Sequence, residues 1–198
     1  MTTDDRTLLA SVVAGDEQAL EQLYAAYRPR LWRYVWHQLD GDAELVDDVL
    51  QDVFLAIWRT AHAYRGEAAI ATWIFRITHH QTVSALRSRA RRNGLFAAKP
   101  RDNDAPHEST GRQPLPPGAS HEDEVVGRIT LDDALSRISA KHRAVLELIF
   151  FYGFSCEEAA RVLDVPIGTV KSRLSYARKA LHEQLTDGNT LAEAQHDA

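Results

Sequence analysis

The sequence predicts an all-α protein of two small helical domains joined by a Pro-rich flexible linker. Apolar residues recur at helical spacing in both halves of the 198-residue chain, and alternating strand patterns are absent. Five prolines fall between residues 99 and 121 without apolar periodicity, which is typical of a linker. We therefore expect an N-terminal domain over residues 1–98, a linker over 99–122, a four-helix domain over 123–186 and a tail over 187–198.

Three main helices are predicted in the N-terminal half. Asp16 is placed to cap the first helix, and Asp42 begins a second helix that runs to about Thr60. The second helix has an unbroken apolar stripe at the i, i+3, i+4, i+7 positions, formed by Val46, Val49, Leu50, Val53, Phe54 and Ile57. A third helix is expected from about Glu67 to Arg92, with its aromatic residues near the start.

The C-terminal half ends in a predicted helix-turn-helix. Helices are expected at about 123–138 and from Ser139, and a further helix begins at Ser155, which forms an S-x-x-E capping box with Glu158. Residues 164–168 break that helix, because Pro166 cannot continue it and Gly168 is free to adopt a turn conformation. A new helix is then expected from Thr169.

This last helix has an apolar side and a polar, basic side. The candidate residues for contact with DNA are Thr169, Lys171, Ser172, Arg173, Tyr176 and Arg178. Basic and polar side chains in the first two turns are typical of a recognition helix in the DNA major groove. A solvated amphipathic helix is the alternative interpretation, but the tight turn and the small inner residues before it favour DNA binding.

The charge distribution also favours nucleic acid, although the net charge of the chain is −5. Residues 59–92 carry seven basic and one acidic side chain, for a net charge of +6, and residues 161–179 carry a net charge of +4. Local positive patches are what contact with phosphate requires, and the charge of the whole chain is a poor guide to them.

Several function classes are disfavoured. The N-terminus has no signal-peptide pattern and no run of about 18 apolar residues occurs, so a cytoplasmic protein is expected. Cys156 has no second cysteine to pair with and is best interpreted as a small helix residue. No P-loop, nucleophile elbow, zinc-protease or dinucleotide motif is present, so we expect no enzyme activity, no cofactor and no metal site.

Three segments together resemble a known family. Residues 48–55 (DVLQDVFL), residues 64–67 (YRGE) with 72–77 (TWIFRI), and residues 168–173 (GTVKSR) resemble, in this order, motifs of the extracytoplasmic-function (ECF) group of bacterial sigma factors. The resemblance covers nearly the whole chain. It implies a transcription initiation factor with a region 2-like N-terminal domain and a region 4-like C-terminal domain.

The resemblance assigns a role to each segment. It implies that Asp48, Gln51, Asp52 and Leu55 bind the clamp helices of the largest subunit of RNA polymerase core. The residues implied to melt and read the −10 promoter element are Tyr64, Arg65, Arg76, His80, Arg87 and Arg91. The helix-turn-helix would read the −35 element, and an anti-sigma factor is an expected partner.

Two departures from the family pattern leave the promoter sequence open. His80 stands where relatives often have asparagine, and Tyr176 stands where they often have a basic residue. The main alternative function is a stand-alone helix-turn-helix regulator whose first half binds a ligand or dimerises. That alternative leaves the acidic strip on the second helix and the basic island at residues 59–92 unexplained.

Overall fold

The structure is a computed structural model that describes residues 3–92 and 131–196, with side chains over 5–92 and 131–184. All regular structure in these ranges is helical, as the sequence predicts. The helices are α1 (Thr3–Val13), α2 (Glu17–Gln38), α3 (Ala43–Thr60), α4 (Ile70–Arg92), α5 (131–136), α6 (Ala140–Leu146), α7 (Cys156–Leu163) and α8 (Ile167–His196). The predicted linker, residues 99–122, lies outside the described residues.

The predicted N-terminal cap at Asp16 is confirmed, and the structure adds a second cap at Asp42. The Asp16 carboxylate accepts hydrogen bonds from the backbone N–H groups of Gln18 and Ala19, at 2.9 and 3.3 Å. The Asp42 carboxylate accepts from the backbone of Leu45 at 3.2 Å. Each cap satisfies donors in the first helical turn that have no partner within the helix.

The apolar stripe of α3 is buried throughout, and it packs between α2 and α4. α4 begins at Ile70, three residues later than the sequence predicted from Glu67. Residues 67–69 belong instead to the loop before α4, in which Gly66 has a left-handed φ of +75°. The Tyr64 hydroxyl closes the resulting loop by donating to the carbonyl of Ala68 at 2.6 Å.

The predicted capping box at the start of α7 is confirmed. The Ser155 hydroxyl accepts from the Glu158 backbone at 3.2 Å, and the Glu158 carboxylate accepts from the Ser155 backbone at 2.9 Å. Before it, α6 continues without a break into a π-helical segment at Glu147–Phe151. After it, the chain leaves α7 through Asp164, whose φ of 53° is left-handed.

The predicted position of the turn residue and of the next helix start was wrong. Gly168 lies within α8, which begins at Ile167 rather than Thr169, and Asp164 makes the left-handed turn instead. An aspartate can do so because its short polar side chain tolerates this conformation better than most residues. Pro166 immediately precedes the helix, where a missing N–H removes no helical hydrogen bond. α8 then continues to His196, through most of the segment expected to be a tail.

The two domains pack directly against each other, which the sequence did not predict. α7 lies along α4, and α6 contacts α2. At the centre of this contact the Phe75 ring lies 4.8 Å from the ring of Tyr152 and 5.1 Å from that of Phe154, measured between centroids. None of the helices in the described part of the chain is long and apolar enough to cross a membrane.

Candidate nucleic-acid and protein interfaces

The acidic strip on α3 faces solvent. Asp48, Gln51 and Asp52 are exposed, and Leu55 keeps 44% of its surface accessible although it is apolar. These four side chains lie on the side of α3 opposite the buried stripe, because residues spaced by three and four positions share one helix face. The geometry therefore brings the four predicted polymerase-binding residues together on one open surface.

Gln51 and Leu55 of this strip also line a groove between α2 and α3 that the sequence did not reveal. The groove has a volume of about 670 Å³, and its apolar lining includes Leu20, Tyr24, Leu50, Phe54, Leu55 and Trp58. Tyr24 is 41% exposed, and its ring packs on the buried Phe54 with centroids 4.7 Å apart. Leu20, Tyr24 and Arg28 are spaced by four residues, so all three lie on one side of α2.

The polar rim of the groove carries charge of both signs. Glu17 and Glu21 line it from α2, and Arg28 forms an ion pair with Asp47 at 3.6 Å across its edge. An apolar floor with a charged rim is the usual composition of a protein–protein contact surface. This groove is thus a stronger candidate for a partner helix than the acidic strip alone.

A cationic stripe runs along the outer face of α4. Its members are exposed and follow helical spacing: Arg76, His80, Ser84, Arg87 and Arg91. On the opposite face Ile74 and Phe75 are fully buried, so the helix is fixed in rotation with its charges outward. A cationic surface of this kind holds phosphates.

A recess of about 470 Å³ lies beside the start of α4 and contains Tyr64, Arg65, Trp73 and Arg76. The Tyr64 ring packs against Trp73 with centroids 5.4 Å apart, and both side chains are half-buried. Aromatic faces beside guanidinium groups bind unstacked bases. The sequence did not predict that Arg161, which belongs to α7 of the other domain, also lines this recess.

His79 and His80 have separate environments. The His79 ring is largely buried and its Nδ1 lies 2.9 Å from the hydroxyl of Tyr34, so it serves the domain core. Burial, together with the positive charges of His80 and Arg173, lowers the pKa of His79 from 6.5 to about 4. Among the side chains that the structure describes, no group of histidine, cysteine and carboxylate residues could hold a metal ion.

The recognition helix α8 exposes Lys171, Ser172 and Tyr176 to solvent, whereas Val170 and Leu174 are buried. Tyr176 is 63% exposed, and its ring stacks on His142 of α6 at 6.1 Å between centroids. Two turns of a helix with such a surface fit the width of the major groove.

The other predicted −35 residues diverge to the flanks of this surface. Thr169 is half-buried, and its carbonyl accepts a hydrogen bond from Ser172 at 3.0 Å. Arg178 lies on one flank of α8, and its guanidinium is 5.3 Å from the centre of the ring of Phe150, which belongs to the π-helical segment after α6. Arg173 is half-buried and lines a crevice against α4 together with Thr82.

Comparison with known proteins identifies the class. The Sigma-70 region 2 family matches residues 23–92, and the Sigma-70 region 4 family matches residues 128–181. The chain is 31% identical to the ECF RNA polymerase sigma factor SigL of Mycobacterium tuberculosis over 183 residues, 90% of this chain and 96% of SigL. It is 34% identical to SigM of the same organism over 186 residues, 94% of this chain and 87% of SigM. The chain therefore belongs to the ECF sigma factors of RNA polymerase, as its motifs predicted.

Solved structures agree in fold. A structure of CnrH in complex with the cytosolic domain of CnrY matches with a TM-score of 0.65 at 23% identity, and the match covers 93% of this chain and 99% of that one. The sigma factor RpoE, in a complex with the anti-sigma factor NepR from Bartonella quintana, matches with a TM-score of 0.63 at 26% identity, covering 84% of this chain and 96% of that one.

Proposed function

We propose that this chain binds RNA polymerase core through the groove between α2 and α3, opens the −10 element along α4 and reads the −35 element with α8. Family membership establishes a sigma factor. The observation that carries the finer assignment is that three chemically different surfaces are exposed at separate places, in the groove between α2 and α3, on α4 and on α8. An acidic and apolar groove, a cationic stripe and a helix-turn-helix suit a protein helix, single-stranded DNA and duplex DNA respectively.

The groove is proposed to receive the clamp helices of the largest polymerase subunit. Leu55 and Tyr24 supply exposed apolar surface in the groove, and Asp48 and Asp52 supply negative charge on the adjoining strip of α3. Burial of the apolar centre contributes affinity, and the carboxylates select a basic partner and its orientation.

The outer face of α4 is proposed to hold the opened −10 strand. Arg76, Arg87 and Arg91 neutralise phosphates, and the recess beside Tyr64 and Trp73 accepts an unstacked base. Stacking of a base on an aromatic ring contributes about 1–3 kcal/mol, which offsets part of the cost of unpairing it.

The exposed side of α8 is proposed to enter the major groove at the −35 element. Lys171 and Ser172 lie in its first turn, where side chains reach base edges and phosphates. Arg173 lies half-buried on the flank that faces α4.

An anti-sigma factor is the proposed regulator. In one solved structure similar to this chain, the sigma factor RpoE is in complex with the anti-sigma factor NepR. The same groove that suits a polymerase helix is open to a competing amphipathic helix, so one inhibitor could block core binding by occupying it.

In vitro transcription with polymerase core on a library of randomised promoters tests this function. Enriched transcripts should share sequence upstream of the start at both the −35 and −10 positions, and Asp52→Arg should abolish them. Gln22→Arg is the matched control, because Gln22 is exposed on the side of α2 that does not line the groove. Binding of the free chain to duplex DNA with no effect on transcription would instead support a stand-alone regulator.

A further inference from the structure

One side of α8 is polar but uncharged in the middle of the recognition helix. Ser172 and Tyr176 are four residues apart, so they lie on the same side of the helix, and both are exposed. Arg173 and Arg178 lie on the flanks of this line, the first half-buried beside α4 and the second over an aromatic ring. At these two positions α8 therefore offers a hydroxyl and a phenol ring rather than a positive charge.

The Tyr176 side chain is exposed but supported from one side. It keeps 63% of its surface accessible, and its ring stacks with the ring of His142 on α6, with centroids 6.1 Å apart and planes at 23°. An offset arrangement of two aromatic rings at this separation is attractive. One face of the Tyr176 ring is therefore directed at the protein, and the other face and the hydroxyl edge are open.

His142 is itself fixed in place. It is buried where α6 packs on α8, and its Nδ1 lies 3.1 Å from the hydroxyl of Ser139. Ser139 is the N-cap residue of α6, but its side chain makes no capping hydrogen bond to the helix backbone. A side chain that is ordered before binding loses less conformational entropy on binding than one that is free to rotate. The His142 ring is thus a rigid support for Tyr176.

A phenol ring suits a different base from the one that a guanidinium suits. In the major groove guanine presents two acceptors, which an arginine or lysine side chain satisfies. Thymine presents one acceptor and a C5 methyl group, which makes apolar contacts with protein side chains. A phenol has an apolar ring and a single O–H donor, so it lacks the paired donors that recognise guanine. An ordered and exposed aromatic face on the recognition helix therefore fits the methyl group of thymine.

We propose that Tyr176 reads the C5 methyl group of a thymine in the −35 element, and that His142 is the positioning residue that holds the Tyr176 ring for this contact. The inference rests on the proposed function, because it requires that the exposed side of α8 enters the major groove at that element. It goes further by naming the base and the chemical group that are recognised. Burial of one group of this size corresponds to about a fourfold change in Kd.

Duplexes that differ by one methyl group test the base contact. The full-length chain in complex with polymerase core binds a −35 duplex taken from the promoter library, and each thymine is replaced in turn by deoxyuridine, which lacks only the methyl group. For the wild type, one of these replacements should raise the Kd about fourfold. Tyr176→Phe should retain this difference, because the ring is kept, and Tyr176→Ala should lose it.

Two further variants sharpen the test. Ser175→Ala is the matched control, because Ser175 is exposed on α8 next to Tyr176 but points to a different side, so its variant should keep the wild-type difference. Tyr176→Arg should change the preferred base at the sensitive position from thymine to guanine, because a guanidinium donates to both acceptors of guanine. Absence of a methyl-sensitive thymine in the wild type, or the same sensitivity in Tyr176→Ala, would overturn the contact.

The role of His142 is measured by the ratio of the Kd values for the deoxyuridine and thymine duplexes, which does not depend on the fraction of folded protein. His142→Ala should bring this ratio close to one, whereas His142→Phe, which restores a ring, should retain it. If His142→Ala loses its helical circular dichroism, His142→Asn decides the question, because it removes the ring and keeps a polar group beside Ser139. An unchanged ratio in a folded variant without the ring would overturn the positioning role.

The same titrations separate the thymine contact from the proposed function. If no −35 sequence is enriched and the complex binds all duplexes equally, α8 does not read the −35 element and both proposals fail. If a −35 sequence is enriched and Lys171→Ala weakens binding to it, but no thymine is sensitive to loss of its methyl group, the role of α8 stands and only the thymine contact fails.

Discussion

Leu55→Ala tests the groove between α2 and α3 with a predictable magnitude. Leu55 leaves 44% of its surface exposed in the free chain. Full burial of a leucine side chain contributes about 1.5–3 kcal/mol. Covering the exposed 44% with a polymerase helix should therefore contribute about 1 kcal/mol, and its loss should raise the Kd for core polymerase about fivefold.

The assay is titration of fluorescently labelled protein with polymerase core, followed by anisotropy. Val13→Ala is the matched control: Val13 is an equally exposed apolar residue, at 50%, and it lies on α1 away from the groove. Its variant should bind core as wild type does. Unfolding in urea should first show that both variants are folded at the assay temperature.

Two results would refute the reasoning about the groove. A Kd for Leu55→Ala equal to that of wild type would show that this exposed leucine is not covered by core. Equal weakening by Val13→Ala would show that the assay reports loss of exposed apolar surface in general rather than a specific site.

Four further outcomes are expected. Asp52→Arg should abolish recovery of the chain with core polymerase, because it places a positive charge on the acidic strip of α3; normal recovery would remove that assignment. Arg173→Ala should weaken binding of the polymerase complex to a −35 duplex by about 1–3 kcal/mol if the side chain reads a base. Unchanged affinity would exclude a base-reading role for Arg173. Ser155→Ala should lower the free energy of unfolding by about 1 kcal/mol, measured in urea, whereas Ser155→Thr should retain most of the cap. The pKa of His79 is lowered to about 4, so its contribution to stability is present above pH 6.5 and is lost as the pH falls towards 4. His79→Gln should therefore flatten the dependence of the free energy of unfolding on pH between 6.5 and 4. An unaltered slope would contradict the conclusion that burial lowers this pKa.

Local features were predictable because their causes are local. The caps predicted at Asp16 and Ser155 follow from side chains that bond within three residues, and the structure contains both. The buried stripe of α3 follows from a spacing that only a helix places on one side. The same local reasoning gave the wrong residue for the left-handed turn, Gly168. Several nearby residues could have made this turn, and the choice of Asp164 depended on how α7 and α8 pack.

The proline in α2 shows that tertiary packing can outweigh a local preference against helix. Pro29 lies inside a helix of 22 residues, although proline removes one backbone hydrogen bond. The residues on either side of it, Tyr27 and Leu31, are buried in the domain core. Their burial outweighs the cost of the lost bond, and α2 continues unbroken from Glu17 to Gln38.

The sequence by itself determined the all-helical class, the helix-turn-helix, the α3 strip and the family, since each depends on spacing within one segment. Only the tertiary structure decided the groove formed with Tyr24, the position of Arg161 in the recess of Tyr64, and the contact of His37 with Glu147. The reason is separation along the chain: His37 and Glu147 are 110 residues apart, and no local pattern in either helix indicates the other. Two polar residues on amphipathic helices are expected to face water until packing of the domains buries them together.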